Sequence, residues 1–273
     1  MTTVSLIYAY WPNQPFGVTW CDLPWALRDA GLPKRLADAG FEVLESVVMS
    51  EADAPEELRS GFELAGQIAT DVARAHAEGE LAVVLCGSCA LAAVGCVAGL
   101  GGGDDIGIAW LDAHPDLNTP ETTSSGLLEG MALAVATGHA WRTMATGHAG
   151  LTPASLANAA LFGARDIDPA EADLIAANAV PAATTSDEIN RRLSGTRATY
   201  LHLDMDVHDA LEVRTNSFAI AGGPSVASVR ETIIAIDRVA AVAITGLDPA
   251  APDGAKAAKI AIEHILALVK ARH

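Results

Sequence analysis

The chain has 273 residues, of which 51% are hydrophobic and 19% charged, and 34 acidic side chains against 17 basic ones give a formal net charge of −17. That apolar content excludes a disordered chain, and the length suits one α/β domain spanning residues 1–273. Surplus acid repels phosphate backbones and anionic lipid, so no nucleic acid and no membrane is expected as partner.

Residues 1–10 carry no basic n-region and run into Trp11-Pro12, so they do not read as a signal peptide. A cytoplasmic setting follows, with free thiols at Cys21, Cys86, Cys89 and Cys96. Short apolar runs predict strands over residues 4–8, 41–48, 82–85, 106–111, 159–162, 200–203 and 241–245. Between them, Ala-rich stretches predict helices over 24–39, 55–78, 90–100, 130–137, 169–177, 225–239 and 255–271, with Asp168 as a cap for the fifth. Residues 81–100 hold no charge and are long enough to cross a bilayer, but Gly87 and Ser88 divide them into strand, loop and helix. Alternation of strand and helix predicts a three-layer α/β/α fold with a mostly parallel sheet covered on both faces.

Two predicted strands end in acid. Asp112-Ala113-His114-Pro115-Asp116 follows the apolar run 106–111, and Asp204-Met205-Asp206 follows Tyr200-Leu201-His202-Leu203. Residues two apart on a strand face the same way, so Asp112 and His114 share a direction, as do Asp204 and Asp206 if the extended backbone continues. Both sets would lie at carboxyl ends of parallel strands, where open α/β sheets bind ligands. Four or five carboxylates in one pocket repel one another unless cations neutralise them. Two divalent metals sharing carboxylates remove that repulsion and lower the pKa of a water. His202 and His208 read as structural or surface residues. Cys86-x-x-Cys89 has the spacing of a redox pair but lacks a thioredoxin context, and a zinc ribbon would need a second cysteine pair.

These two motifs, in this order, resemble the first and second metal motifs of the arginase, agmatinase and formiminoglutamase (ureohydrolase) family, and the likeness extends over most of the chain. Leu85-Cys86-Gly87-Ser88-Cys89 stands where that family has Gly-Gly-Asp-His, which sets Cys89 in the place of a histidine ligand. The resemblance implies an arginase-like fold and two manganese ions. Cys89, Asp112, Asp116 and Asp204 would hold one; His114, Asp112, Asp204 and Asp206 would hold the other. It also implies an amino-acid substrate. The loop from Asn118 to Gly126, with Thr123 and Ser125, resembles the arginase segment that holds the α-carboxylate, and 163–171, with Asp166, Asp168 and Glu171, the segment that holds the α-ammonium. Side-chain amides and hydroxyls donate to a carboxylate, and carboxylates accept from an ammonium. Asp116 would accept the proton of the attacking water and pass it to the departing amine.

Three positions depart from the family pattern. Cys89 replaces a histidine ligand, Glu129 stands for a histidine that shuttles protons, and Gly246 falls where arginases carry a glutamate beside the guanidinium. Without that anion a fully charged guanidinium is disfavoured, and the missing side chain is expected to leave room for an added oxygen. The expected reaction is hydrolysis of Nω-hydroxy-L-arginine to L-ornithine and hydroxyurea. The alternatives are ordinary arginase or another guanidino-acid ureohydrolase, and a catalytically dead metal-binding relative. The chain lacks the long C-terminal tail that helps arginases associate, so a monomer is expected.

Overall fold

The computed structural model describes residues 3–12, 19–50 and 57–272. Its centre is a sheet of eight strands in the order β2-β1-β3-β8-β7-β4-β5-β6. They are β1 (Thr3–Tyr10), β2 (Glu42–Met49), β3 (Leu81–Cys86), β4 (Ile106–Leu111), β5 (Ala159–Phe162), β6 (Ala182–Ala183), β7 (Ala198–Asp204) and β8 (Val239–Thr245). Every neighbouring pair is parallel. All residues of β3, β4, β5 and β7 are buried. Helices cover both faces, which is why these strands read as continuous apolar runs rather than alternating ones.

Seven of the strands match the sequence expectation. The eighth, β6, has only two residues and no apolar run to announce it. The expected helix over 24–39 is two helices, α1 (Leu23–Asp29) and α2 (Leu32–Asp38). The chain turns between them at Gly31, whose φ of 89° is left-handed, and Pro in the first turn of α2 restarts the helix. The 55–78 helix begins partly outside the described residues and is seen as α3 (Glu57–Ala77). α4 (Cys89–Gly99) is capped by Ser88, whose hydroxyl accepts from the Leu91 N–H. The 130–137 segment opens with a 3-10 turn, Glu129–Met131, before α5 (Ala132–Ala136).

Two further helices escaped the sequence reading, α6 (Arg142–Ala149) and α8 (Ser186–Arg192). α7 (Pro169–Ala177) follows Asp168 as expected. The 225–239 helix is shorter than expected: α9 (Val226–Ile234) stops early, and Val239 already opens β8. The chain closes on α10 (Gly254–Lys270). Among the described residues no helix is long and apolar enough to cross a membrane.

One apolar core lies between the sheet and α3, α4 and α5; the other lies under α1, α2, α9 and α10. The connection from β3 to β4 passes over the positions filled by β8 and β7. The carboxyl ends of these four central strands therefore open into one crevice, the position where parallel sheets offer ligands a site.

Candidate metal centre and active site

β4 and β7 lie side by side, with Leu111 paired to Leu203, so the acids that follow emerge next to each other. Their convergence comes from turns rather than from continued extension. The His114 N–H donates to Asp112 Oδ1 at 2.8 Å, and the Asp206 N–H donates to Asp204 Oδ1 at 2.8 Å. Each strand-end aspartate thus accepts from the backbone two residues on, a local turn that aspartate favours. Met205–Val207 is already a 3-10 turn, which corrects the expectation of an extended Asp204–Asp206 pair. Asp116 is itself left-handed, with φ of 51°, a region aspartate tolerates better than most residues.

Asp112, Asp116, Asp204, Asp206 and Cys89 are all buried, and His114 is partly exposed. Cys89 Sγ lies 3.2 Å from Asp204 Oδ2. His114 Nδ1 lies 3.3 Å from Asp112 Oδ1 and 3.4 Å from Asp206 Oδ2. The Ala113 N–H and the Asn216 side-chain amide also donate to Asp206, at 3.2 and 3.3 Å. Three groups have ligand atoms mutually within 4.8 Å: Asp112, His114 and Asp206; Cys89, Asp116 and His202; and Asp112, His202 and Asp204. All six expected ligands are therefore brought together, and His202, read as structural from the sequence, lies among them.

The electrostatics fit a cationic occupant. Burial pushes Asp112 up to about 7, with repulsion from Asp206 adding to it. Burial and neighbouring carboxylates hold Asp116 and Asp204 well above the usual carboxylate range. Burial, and then Asp204, raises the Cys89 thiol in the same way. Burial works against ionised Asp206 too, but bonds from His114 hold it down to about 2. Against its own burial, His114 is pushed up to about 12 by bonding to Asp112 and Asp206. No lysine or arginine among the described residues forms an ion pair with these aspartates. Arg165 spends its two terminal nitrogens on the backbone carbonyls of Gly163, Asp206, Val207, His208 and Ile220, tying the loops together. Four buried aspartates with a thiol and imidazoles, and no lysine or arginine paired directly with them among the described residues, form a donor set suited to divalent metal ions.

The crevice holds a cavity of about 550 Å³, lined among others by Asp116, Ser125, Glu129, Asp168, Trp20 and Phe218. Asp166, Asn118 and Glu171 also line it; Thr123 does not, though its neighbour Ser124 does. Asn118 Nδ2 donates to Asp168 Oδ2 at 2.9 Å, which links the two segments expected to hold the ends of an amino acid. Glu171 accepts from the Leu117 and Asp168 N–H groups, both at 2.9 Å, and so fixes the 117 loop against α7. Thr123 and Ser125 bond to one another and to the Gly126 and Leu127 N–H groups, which shapes their exposed loop. Glu129 accepts from the Ser88 hydroxyl at 3.0 Å and the Ala90 N–H at 3.2 Å, so its carboxylate sits on the first turn of α4, beside Cys89.

Two glycines are required by close approach. A side chain at Gly87 would overlap the Trp20 backbone, so glycine lets Trp20 come alongside and stack edge-on against Phe218 at the cavity wall. At Gly246, φ is +63°, and a Cβ would overlap the Asp204 carboxylate. The space left by the missing side chain is thus occupied by Asp204, which corrects the expectation that it is open to an extra substrate oxygen. Trp20, Phe218, His202 and Asn216 were missed by sequence reasoning. Only His202 had a signal, being two residues before Asp204 on the same strand face.

A parallel α/β sheet whose central strand ends gather buried carboxylates, a thiol and imidazoles into one substrate-sized cavity defines a metal-binding enzyme of the ureohydrolase type. The family model described as "Arginase family" matches residues 24–269, and the chain belongs to that family. It is 30% identical over 234 residues to the arginase of Bacillus subtilis (strain 168), covering 78% of this chain and 77% of that protein. It is 33% identical over 162 residues to the arginase of Brevibacillus brevis, covering 56% and 54%. The crystal structure of arginase from Bacillus subtilis superposes with a TM-score of 0.87 at 25% identity over 98% of both chains. The Entamoeba histolytica arginase solved in complex with L-ornithine shares the fold, with a TM-score of 0.86 at 19% identity over 98% of both.

Proposed function

We propose that this chain is a two-manganese hydrolase that cleaves Nω-hydroxy-L-arginine into L-ornithine and hydroxyurea. Water oxygen adds to the guanidine carbon, the bond from that carbon to the ornithine nitrogen breaks, and a proton moves to the departing amine. When bound, the pair of cations supplies Lewis acidity, acidifying water and offsetting negative charge that develops in the transition state. The oxygen-rich donor set favours manganese, although the Cys89 thiolate is a softer ligand.

The chain's own groups have the following roles. Cys89, Asp112, Asp116 and Asp204 would hold one cation, and His114, Asp112, Asp204 and Asp206 would hold the other. Asp116 takes the proton of the attacking water and delivers it to the leaving nitrogen. Asn118 and Ser125 donate to the substrate carboxylate, with the Thr123 hydroxyl, which does not reach the cavity, holding Ser125 in place, and Asp166, Asp168 and Glu171 accept from its ammonium. The Asn118–Asp168 bond holds these two arms at a fixed separation. Glu129 sets the start of α4, and with it the Cys89 thiol, and borders the proton path.

The observation that carries the substrate choice is Gly246. Its place beside Asp204 admits no side chain, so no carboxylate can project from there toward a guanidinium. Loss of one partner from a buried charge pair costs about 3–5 kcal/mol, a penalty that falls on the fully charged guanidinium of arginine and less on a weakly basic hydroxyguanidine. The combination of cysteine for histidine and no glutamate is similar to that of hydroxyarginine amidinohydrolases. Ordinary arginine hydrolysis is the alternative, favoured by the names of the similar proteins. A product assay on the manganese-loaded protein separates them. Hydroxyurea formation with the higher kcat/KM for hydroxyarginine is expected; a higher kcat/KM for L-arginine overturns the substrate assignment.

A further inference from the structure

His202 lies on β7 on the same face as Tyr200 and Asp204, with no exposure to solvent. Its ring is stacked flat on Trp110, with centroids 3.6 Å apart and planes 4° from parallel. Nδ1 is 2.8 Å from the Tyr200 hydroxyl. Nε2 points toward the aspartates, 3.8 Å from Asp112 Oδ2 and 3.2 Å from Thr245 Oγ1. The ring is thus fixed on one face and at one nitrogen, while the other nitrogen faces the donor cluster. His202 also belongs to both groups of donors that take in Cys89, Asp112, Asp116 and Asp204.

We propose that His202 Nε2 is a ligand of the cation on the Cys89 side of the site. The inference rests on the two-cation reading given above. Without it, that cation would be met by a thiolate and three carboxylates, all anionic. A neutral imidazole fills a coordination position without adding charge, and it is a common ligand of such ions. The surroundings match what a ligating histidine needs. At 2.8 Å the Tyr200 oxygen is placed to accept from Nδ1–H, the tautomer that leaves the Nε2 lone pair free for a cation. Thr245 already has an acceptor in Asp204 Oδ2, at 3.2 Å, so it does not require the His202 nitrogen.

A purely structural histidine would carry its hydrogen on the opposite nitrogen. Tyr200 would then donate to Nδ1, Nε2–H would donate to Thr245, and Thr245 would donate to Asp204. Pulsed electron paramagnetic resonance on the manganese-loaded, full-length protein labelled with nitrogen-15 histidine distinguishes the two arrangements. Two inequivalent directly bonded nitrogen couplings are expected, from His114 and His202, and one should survive in His114→Ala. Two bound cations with a single coupling, lost in His114→Ala, would overturn the assignment of His202 and leave the two-cation reading standing. A wild-type chain that takes up no manganese would overturn both. In His202→Asn, which keeps a polar side chain in the same space, loss of one of the two cations from the folded protein supports the assignment. Retention of both at unchanged affinity contradicts it.

Discussion

The thiol of Cys89, at the start of α4, lies 3.2 Å from Oδ2 of Asp204, at the end of β7, across a sequence separation of 115 residues. Cysteine is soft and carboxylate is hard, so as ligands in the proposed centre this pair would set the metal preference of one side of the site. Cys89→His is expected to shift selectivity from cadmium toward manganese by roughly 10–100-fold, the range typical of altered metal-site shells. Competitive titration of cation-free protein with the two ions measures this; unchanged selectivity would exclude the thiol from the coordination sphere.

Asp116 is the proton carrier in the proposed reaction, and its left-handed backbone suits asparagine equally well. Asp116→Asn therefore removes the basic oxygen with little change of shape. Turnover is expected to fall by about 10²–10⁴-fold while the melting temperature stays near that of the wild type. Retention of full kcat would contradict the role.

Glu129 accepts from the Ser88 hydroxyl and the Ala90 N–H at the positive end of α4. Truncation leaves those donors without this acceptor. Glu129→Ala is expected to cost about 1 kcal/mol, lowering Tm by roughly 2–4 °C. Manganese affinity should fall as well, because Cys89 begins the same helix. An unchanged Tm accompanied by lost turnover would instead assign Glu129 to proton transfer alone.

His264 on α10 is fully buried, its Nε2 2.9 Å from His208 Nε2, and its Nδ1 has no hydrogen-bond partner. Burial, with His208 nearby, pushes it down to about 3 from an ordinary value of 6.5. Between those values the unfolded chain binds a proton that the folded chain refuses. The stabilisation is complete above pH 6.5 and is lost as pH falls toward 3, by up to about 1.4 kcal/mol per pH unit. His264→Gln should flatten the pH dependence in that window by up to this amount. Urea unfolding curves recorded from pH 7 to pH 4 give the slope; parallel curves for the two proteins would remove His264 as the source.

Much of this architecture is legible in the sequence. β3, β4 and β7 announce themselves as apolar runs, and the acids that end β4 and β7 stand out in the sequence as a candidate site. What escaped has physical reasons. β6 is too short to carry a pattern. The break at Gly31 was signalled by Gly-Leu-Pro, and α8 by a capping pair, Thr185 with Glu188, but apolar periodicity alone passes over both. His202 is hidden because an imidazole among leucines looks like core, although its strand parity with Asp204 aims it at the site. Trp20 and Phe218 come from distant segments, and nothing local in the sequence shows that they meet. At Gly246 the sequence shows only a missing side chain, and the backbone reveals that Asp204 occupies the space beside it.

The most direct test of the account is a calorimetric titration of the cation-free chain with manganese, with ornithine release from hydroxyarginine followed at each point. Two ions bound per chain, with turnover appearing only as the second site fills, is the expected result. Turnover without bound cation, or two bound ions with no hydrolysis of any guanidino amino acid, would contradict it.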